Sequence, residues 1–369
     1  MSTLKKIIFL LIGLSSSLVI GIIFLEIFFG NWRNKDDWRD TRSLNIVRGF
    51  THDYRIDRIY EGWGPTSTYI RDQYGLRGPC KEIDKINILT VGGSTTDQRF
   101  ITEGLTWQDS LQKNLKALNH PNTCIANAGV DGHSTFGHIE SFKIWFSKIH
   151  SLEPKLVVLF IGINDAGFRL TPFAGFDTKV GEGESRLKVW LREKSALYNL
   201  LRFIRNTLMP KAKATYAEHT KHPFSLDEYI RSENTSGALA LAEQNKQGFS
   251  NRLSLVLKQI KQMGSIPICI SQPHLYVHAS SGTKKGVPFA FEYKGVVYNG
   301  LDYNASINLL NQEMASLCPS QGGFYIDAAS HIFAPEDFYD LVHMTPAGAK
   351  KLADLIAQEM IKQKIPMNF

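Results

Sequence analysis

The chain alternates short apolar runs with longer amphipathic segments from residue 86 onward. Five runs have the length and composition of buried strands: Ile86–Val91, Cys124–Asn127, Leu156–Ile161, Ile266–Ile270 and Phe324–Ile326. The segments between them include four with helical spacing: Trp107–Leu118, Ile139–Ile149, Ala238–Met263 and Ala305–Leu317. Continuous apolar strands separated by helices predict an α/β fold with three layers, α/β/α, around a mostly parallel sheet of about five strands.

The amino-terminal segment has a different pattern. After two lysines, residues 7–25 contain no charged side chain, and the run continues past one glutamate into bulky aromatic residues. This length is sufficient to cross a bilayer as a helix. A cleaved signal peptide would have a shorter apolar core and small residues after it, whereas Trp32 and Trp38 follow here as candidate interfacial anchors. We therefore predict one uncleaved transmembrane helix, with the lipid bilayer as partner of residues 7–29.

These patterns divide the chain into three parts. Residues 1–30 form the anchor with its short tail, residues 31–80 a juxtamembrane connector, and residues 81–369 the large domain. Turn-forming glycines and prolines predict little regular structure in the connector, which is expected to pack on the domain. The domain has a basic helical insert around residues 170–235 and a glycine- and aromatic-rich insert around residues 277–303, a hairpin or loop that could line a pocket.

The basic insert allows two interpretations. Leu187, Leu191, Leu197 and Leu201 recur at near-helical spacing among lysines and arginines. Such a helix could lie against anionic lipid or over an active site. An ordinary surface helix with a solvated basic face is the simpler interpretation.

Composition excludes several classes of function. The 369 residues are 43% hydrophobic and carry a net charge of +7, which suits an ordered globular domain with accessory parts. The basic residues are scattered, without an RNA-binding or zinc-finger signature, so nucleic acid is not an expected partner. The sequence has no metal-ligand spacing and no glycine-rich nucleotide loop. We therefore expect no metal and no cofactor.

The four cysteines permit more than one interpretation. Cys80, Cys124, Cys269 and Cys318 are far apart, and the sequence does not rank their three pairings. Cys124 and Cys269 lie in apolar runs, which favours small buried hydrophobic side chains. A disulfide stays open if the domain lies outside the cytoplasm.

A serine in a glycine turn follows the first predicted strand. The flanking glycines would let a substrate approach closely, so Ser94 is a candidate nucleophile. The same turn could instead hold a phosphate at the start of the next helix. Gly132 and Asn164 also follow predicted strands. Because the carboxyl ends of parallel strands meet at one edge of a sheet, the three residues are expected to converge.

A candidate acid and base lie near the carboxyl terminus. Asp340 and His343 are three residues apart, so one short loop can hold both side chains. The imidazole would take the Ser94 proton as general base, and the carboxylate would orient the ring and stabilise its charged form. Alternatively, Asp340 caps a helix that begins near Pro346, and His343 is a surface residue.

Four segments, in their order along the chain, resemble the SGNH (GDSL-like) hydrolase family. They are Val91-Gly92-Gly93-Ser94-Thr95-Thr96, Asn127-Ala128-Gly129-Val130-Asp131-Gly132, Gly162-Ile163-Asn164-Asp165 and Asp340-Leu341-Val342-His343. The resemblance spans roughly the last three quarters of the chain and implies a flavodoxin-like sheet. Gly93 stands where many members carry Asp, a departure that affects the substrate subgroup more than activity.

The resemblance also implies roles for individual residues. Gly132 and Asn164 match the family's oxyanion positions, which the backbone N–H of Ser94 would complete. Asn127 and Asp165 match positions that support the surrounding loops. Considered alone, Gly132 could be a turn glycine and Asn164 could form an Asx turn at a strand end.

The resemblance predicts acyl transfer from an ester. The leading hypothesis is a membrane-anchored serine esterase that hydrolyses an acetyl or other short acyl ester, on a cell-envelope polysaccharide, through an acyl-Ser94 intermediate. An O-acyltransferase that uses the same residues on a glycan is the second hypothesis, and a non-catalytic envelope-assembly or glycan-binding protein is the third. Counts of Lys and Arg do not orient the helix. Because the amino-terminal tail is short and the family's usual substrates lie outside, we predict an extracytoplasmic domain, periplasmic or at the cell surface.

Overall fold

The computed structural model describes residues 3–30, 32, 44–167, 191, 194–208, 215–216, 229–280, 283–288, 291–293 and 296–369. The chain divides into two compact units. The first consists of Met1–Asp40 and Gly181–Lys213, and the second of Thr41–Val180 and Ala214–Phe369.

The α-helices and strands follow in chain order. The helices are α1 (Thr3–Phe29), α2 (Ser94–Asp97), α3 (Trp107–Ala117), α4 (Thr135–Ile144), α5 (Ile163–Ala166), α6 (Ala196–Leu208), α7 (Ala238–Gln262), α8 (Gly300–Ser320) and α9 (Pro346–Lys362). The strands are β1 (Phe50–Arg55), β2 (Thr66–Arg71), β3 (Ile88–Gly92), β4 (Ile125–Gly129), β5 (Leu156–Phe160), β6 (Thr215–Tyr216), β7 (Ile266–Ile270), β8 (Val277–Ser280), β9 (Thr283–Gly286), β10 (Phe291–Tyr293), β11 (Val296–Tyr298) and β12 (Phe324–Ile326).

A five-stranded sheet forms the centre of the second unit. Its strand order is β12-β7-β5-β3-β4, and every neighbouring pair is parallel. All residues of β3, β4 and β5 are buried, as expected for strands covered on both faces. The chain passes from β3 to β4 on one side and then returns to β5 on the other. This reversal opens a crevice at the carboxyl end of β3, the usual place for a site in such sheets.

Helices cover both faces of this sheet. On one face, α3 and α9 pack together over a core that includes Trp107, Leu111 and Ile356. The helix α7 packs against both α4 and α8, and α7 and α8 also contact β7. The predicted three-layer α/β/α fold with a mostly parallel five-stranded sheet is confirmed.

The connector contains more regular structure than its sequence predicts. Strands β1 and β2 form an antiparallel hairpin that pairs Phe50 with Arg71, so the expectation of little regular structure is wrong for this part. Exposed or half-buried and buried side chains alternate along β2, but the buried positions include a serine and an arginine, so the sequence shows no hydrophobic alternation that would predict the strand. After the hairpin's first strand, Ile56 and Tyr60 pack with Tyr339 in a small apolar cluster.

Two disulfides correct the interpretation of the cysteines. Cys80 is bonded to Cys124 across a Cα–Cα distance of 5.0 Å, and Cys269 to Cys318 across 6.3 Å. Both distances lie in the normal range for a disulfide. Cys269 is fully buried, as its apolar run suggests, but it is not a free thiol, and Cys124 is only half-buried. The expectation of simple buried hydrophobic side chains is therefore wrong for both.

The first unit contains the apolar helix α1 and the shorter helix α6. The most apolar window of α1 has a mean hydropathy of 2.7, and none of its side chains is buried. Length and composition permit a membrane span, and a signal sequence would satisfy the same test. Near its carboxyl end, Glu26 accepts hydrogen bonds from the Ser195 hydroxyl at 2.6 Å and from the backbone N–H groups of Ala196 and Leu197, each at 3.1 Å. Glu26 thus satisfies donors exposed at the start of α6.

The two predicted inserts are described in part. Many basic residues of the first insert, such as Lys188 and Lys211, lie outside the described residues. The same is true of Trp38, the second candidate interfacial anchor. Within the described part, α6 exposes Leu201, whose side chain is 57% accessible. The second insert forms two short antiparallel hairpins, β8 with β9 and β10 with β11.

Candidate active site

Ser94 lies at the carboxyl end of the central strand β3. The strand ends at Gly92, Gly93 follows, and Ser94 is the first residue of the one-turn helix α2. A Cβ atom at Gly92 would collide with the Thr96 hydroxyl and the Phe160 carbonyl oxygen. Glycine at this position therefore lets the turn fold closely over the sheet, which leaves Ser94 half-buried at the crevice.

The loop between Phe338 and Met344 holds the candidate acid and base. Phe338 and Met344 form an antiparallel bridge at its base. Within the loop, Oδ1 of Asp340 accepts hydrogen bonds from the backbone N–H groups of Val342 at 2.8 Å and His343 at 2.7 Å. These two bonds fix the carboxylate so that Oδ2 faces the imidazole.

A chain of two short hydrogen bonds connects Asp340, His343 and Ser94. The distance from His343 Nδ1 to Asp340 Oδ2 is 2.6 Å, and that from His343 Nε2 to Ser94 Oγ is 2.7 Å. A carboxylate only accepts, so Nδ1 donates and Nε2 is the acceptor for the Ser94 hydroxyl. Tyr339 stacks on the imidazole with ring centroids 5.5 Å apart and planes 7° from parallel, which restrains the ring. The geometry thus places a proton acceptor on the serine hydroxyl.

Electrostatics favour a strong base at His343. Burial alone would lower the pKa of His343, but the nearby Asp340 charge and its hydrogen bond outweigh burial and raise that pKa above its ordinary value. Burial likewise acts to raise the pKa of Asp340, whereas the His343 imidazole and the loop N–H groups hold it below its ordinary value. The carboxylate therefore stays ionised and stabilises the imidazolium that forms when the ring takes a proton.

Asn164 and the loop that contains Gly132 meet beside Gly93. Gly132 follows β4 with φ of +77°, a left-handed conformation that favours glycine. Asn164 lies in α5, directly after β5, and its Nδ2 donates to the carbonyl oxygen of His133 at 2.8 Å. A Cβ atom on Gly93 would lie less than 3.0 Å from that same Nδ2. Since φ of Gly93 is −87°, the requirement for glycine is the space taken by Asn164 and not the backbone conformation.

Asn127 and Asp165 lie behind these loops and contact their backbones. Asn127 is fully buried; it donates to the carbonyl oxygen of Thr96 at 2.7 Å and accepts from the N–H of Gly129 at 2.8 Å. Asp165, also fully buried, accepts from the Thr135 hydroxyl at 2.6 Å. Both side chains therefore join segments that carry the candidate oxyanion donors.

Two further residues hold the same loops. Arg252 of α7 forms an ion pair with Asp165 at 3.2 Å and donates from Nε to the Thr135 hydroxyl at 2.6 Å. Gln272 is buried; its Oε1 accepts from the N–H of Ile163 at 3.0 Å, and its Nε2 donates to the carbonyl oxygen of Phe160 at 2.9 Å. Sequence reasoning missed Arg252, although an arginine on the apolar face of a helix was a signal that could have found it.

His274 lies near the candidate site. His274 is half-buried, desolvation lowers its pKa to about 4, and its Nδ1 accepts from the N–H of Tyr276 at 3.2 Å. That arrangement is structural. In the described part of the chain, no group of three or more His, Cys, Asp or Glu residues is arranged to hold a metal ion.

Comparison with known proteins identifies the family. The model of the GDSL-like lipase/acylhydrolase family matches residues 89–351. The chain therefore belongs to this family. No curated protein matches the chain.

Several solved structures are similar to the chain at low identity. A catalytic mutant of Axe2, an acetylxylan esterase from Geobacillus stearothermophilus, has 11% identity and a TM-score of 0.41, with 74% of this chain and 93% of that chain covered. A chain assigned as a GDSL-like lipase from Parabacteroides merdae has 14% identity and a TM-score of 0.41, with 76% and 98% covered.

Proposed function

We propose that the protein is a membrane-anchored serine ester hydrolase that removes an acetyl or other short acyl group from a cell-envelope polysaccharide. The observation that carries this proposal is the hydrogen-bonded series Asp340–His343–Ser94 at the carboxyl end of β3. Membership of an acylhydrolase family agrees with it.

The reaction proceeds in two halves. The Ser94 oxygen attacks the ester carbonyl while its proton passes to Nε2 of His343. The imidazolium, stabilised by Asp340, then returns that proton to the departing sugar oxygen, and an acyl-Ser94 ester remains. In the second half, water replaces the sugar, His343 takes the water proton, and the acid is released with the Ser94 hydroxyl restored.

The negative charge on the carbonyl oxygen is stabilised by the loops around Ser94. An amide has two N–H bonds, so Asn164 can keep its bond to His133 and direct the other hydrogen toward the oxyanion. The backbone N–H groups of Gly132 and Ser94 complete the set. One such donor typically contributes about 3–4 kcal/mol of transition-state stabilisation.

Two observations support a retained anchor and an extracytoplasmic site. Glu26, near the end of the apolar helix, accepts three hydrogen bonds at the start of α6. Removal of residues 1–29 as a signal sequence would leave those donors without this partner. The two disulfides are typical of an oxidising compartment outside the cytoplasm.

The decisive test compares the wild type with Ser94→Ala on a short aryl ester such as 4-nitrophenyl acetate. We expect Ser94→Ala to lower kcat by a factor on the order of 10⁶. Ser330→Ala, which removes an exposed serine hydroxyl, is the matched control and should retain full activity. Equal rates for the wild type and Ser94→Ala would refute the proposal.

Substrate and topology need separate measurements. Acetate release that is unchanged by added glycan acceptors agrees with a hydrolase, whereas acetylated acceptor at the expense of free acetate would show a transferase. Protease added to cells whose outer layer is permeabilised and whose cytoplasmic membrane is intact should cleave the domain. Protection of the domain until the cytoplasmic membrane is broken would contradict the extracytoplasmic location.

A further inference from the structure

A small cavity lies between the β1–β2 hairpin and the loops after β3 and β4. Its volume is about 200 Å³, and its lining includes Phe50 and Tyr54 from the hairpin and Asp97 and Asp131 from the loops. Drug-sized ligands occupy pockets of roughly 300–1,000 Å³. This cavity is therefore suited to one ring or similarly small part of a longer ligand.

Two arginines and two aspartates of the cavity lining are joined by ion pairs. Arg71 contacts Asp97 at 2.5 Å, and both side chains are almost fully buried. Arg99 contacts Asp131 at 3.0 Å, and these two side chains are 26% and 33% exposed. Each guanidinium is matched by one carboxylate, so the lining carries no net charge. A lining of this kind suits a neutral ligand better than an anion or a cation.

The outer ion pair can bind hydroxyl groups without being broken. An arginine carries five N–H donors in a rigid fork, so Arg99 can hold Asp131 and still donate to a ligand. A carboxylate has several acceptor positions, so Asp131 can accept from a hydroxyl in the same way. Adjacent hydroxyl groups that both donate and accept match this pair.

Aromatic side chains form the other wall. Tyr54 and Phe50 are each half-buried, and rings of this kind provide flat apolar surface at an otherwise polar site. A ligand that is hydroxylated at its edge and apolar on its face fits both walls. Sugar rings have this chemistry, whereas an acyl chain would leave the charged side chains desolvated and without hydrogen-bond partners from the ligand.

The cavity is close to the reacting serine. Ser94 and Asp97 are the first and last residues of α2, which places their Cα atoms about 5 Å apart, one turn of helix. Asp131 directly precedes Gly132, the candidate oxyanion residue. The ring of Tyr54, which lines the cavity, lies 5.2 Å from that of Phe100, measured between ring centroids. On the catalytic side, the ring of Tyr339 lies 5.5 Å from that of His343.

We infer that this cavity, which we call the hairpin subsite, binds a neutral sugar ring of the acylated glycan and thereby sets the position of its ester at Ser94. The assignment rests on the proposed ester hydrolase function. It gives the connector a role in substrate recognition, since its hairpin supplies one wall. It also predicts a preference for neutral over anionic sugars.

Direct binding tests the hairpin subsite without relying on catalysis. Saturation-transfer NMR on the full chain in detergent would use methyl glucoside as the neutral probe and methyl glucuronide as the anionic one. We expect transfer to methyl glucoside with the wild type and its loss in Arg99→Gln. Arg55→Gln removes a half-buried arginine from an ion pair with Asp57 on the same hairpin and should bind like the wild type.

A second variant blocks the cavity without disturbing buried groups. Val47 lines the cavity and is 40% exposed, so Val47→Trp should fill it and abolish transfer to methyl glucoside. Binding by both Arg99→Gln and Val47→Trp at the wild-type level would overturn the subsite. Absence of binding to the wild type, or preferential binding of methyl glucuronide, would also overturn it.

Kinetics then separate the subsite from the proposed function. On a mono-O-acetylated methyl glucoside, Arg99→Gln should lose roughly tenfold or more in kcat/KM beyond its loss on 4-nitrophenyl acetate, the effect of one missing charged hydrogen bond. Equal losses on the two substrates would contradict a role in sugar binding and leave the hydrolase intact. Conversely, full activity of Ser94→Ala would refute the hydrolase, while the NMR result would still decide whether the cavity binds a sugar.

Discussion

Gly93→Ala tests whether Asn164 must occupy the space beside the serine turn. The new Cβ atom would lie less than 3.0 Å from Nδ2 of Asn164, whereas ordinary contacts begin at 3.4 Å. The amide must therefore retreat by more than 0.4 Å. A misplacement of about 1 Å can lower a rate by about 10²-fold, and loss of the whole donor by about 10²–10³-fold. We expect kcat to fall between roughly tenfold and 10³-fold, within the limits set by these effects.

The assay is a double-mutant cycle on a short aryl ester. Asn164→Ala should lower kcat by about 10²–10³-fold, because it removes the donor. If Gly93→Ala acts by displacing that donor, the double variant should be no slower than Asn164→Ala alone, since the two changes affect one interaction. Additive losses, or a Gly93→Ala variant as active as the wild type, would refute the assigned relation between the two residues.

Three further predictions concern the proton relay, a buried ion pair and the disulfides. Asp340→Asn should lower kcat on the order of 10⁴-fold, and the lost carboxylate should lower the pKa of His343, so that the acidic limb of kcat/KM moves to lower pH; an unmoved limb would count against the pairing. Asp97→Asn leaves buried Arg71 without its carboxylate and should lower the free energy of unfolding in urea by about 3–5 kcal/mol. The control Asp57→Asn changes an exposed aspartate and should leave that free energy unchanged. Equal losses for the two variants would contradict this account. In denaturant, all four cysteines should resist maleimide until the protein is reduced, and labelling of either pair before reduction would disprove the disulfide of that pair.

The direction of the pH effect follows from the role of the imidazole. His343 acts as a base only when it is neutral, so activity rises as pH increases through its pKa. Because Asp340 raises that pKa, the wild type should lose activity at a higher pH on the acidic side than a variant without the carboxylate.

Local pattern was sufficient to predict the central sheet and its approximate boundaries. The strand predicted at Ile266–Ile270 agrees with β7, and that at Leu156–Ile161 exceeds β5 by one residue. These strands are buried on both faces, so each is a continuous apolar run bounded by polar turns. Because strand order brings their ends together, the motif-bearing turns could be expected to converge before any geometry was known.

Long-range pairs were beyond the reach of local pattern. The contact between Arg71 and Asp97 joins the connector to α2, and that between Arg252 and Asp165 joins α7 to the turn after β5. Neither pair has a characteristic spacing. The disulfides depend in the same way on which elements become neighbours in the fold. The hairpin of β1 and β2 was also beyond local pattern, because polar side chains occupy buried positions of β2 and turn-forming residues surround it.

The central claim is that an acyl group is carried on Ser94. The most direct measurement is rapid acid quenching of the protein during turnover of 4-nitrophenyl acetate, followed by peptide mass spectrometry. We predict an acetyl group on the peptide that contains Ser94, formed in a burst equal to the enzyme concentration and absent from Ser94→Ala. Turnover at the wild-type rate in Ser94→Ala, or an acetyl group found only on another residue, would contradict the account.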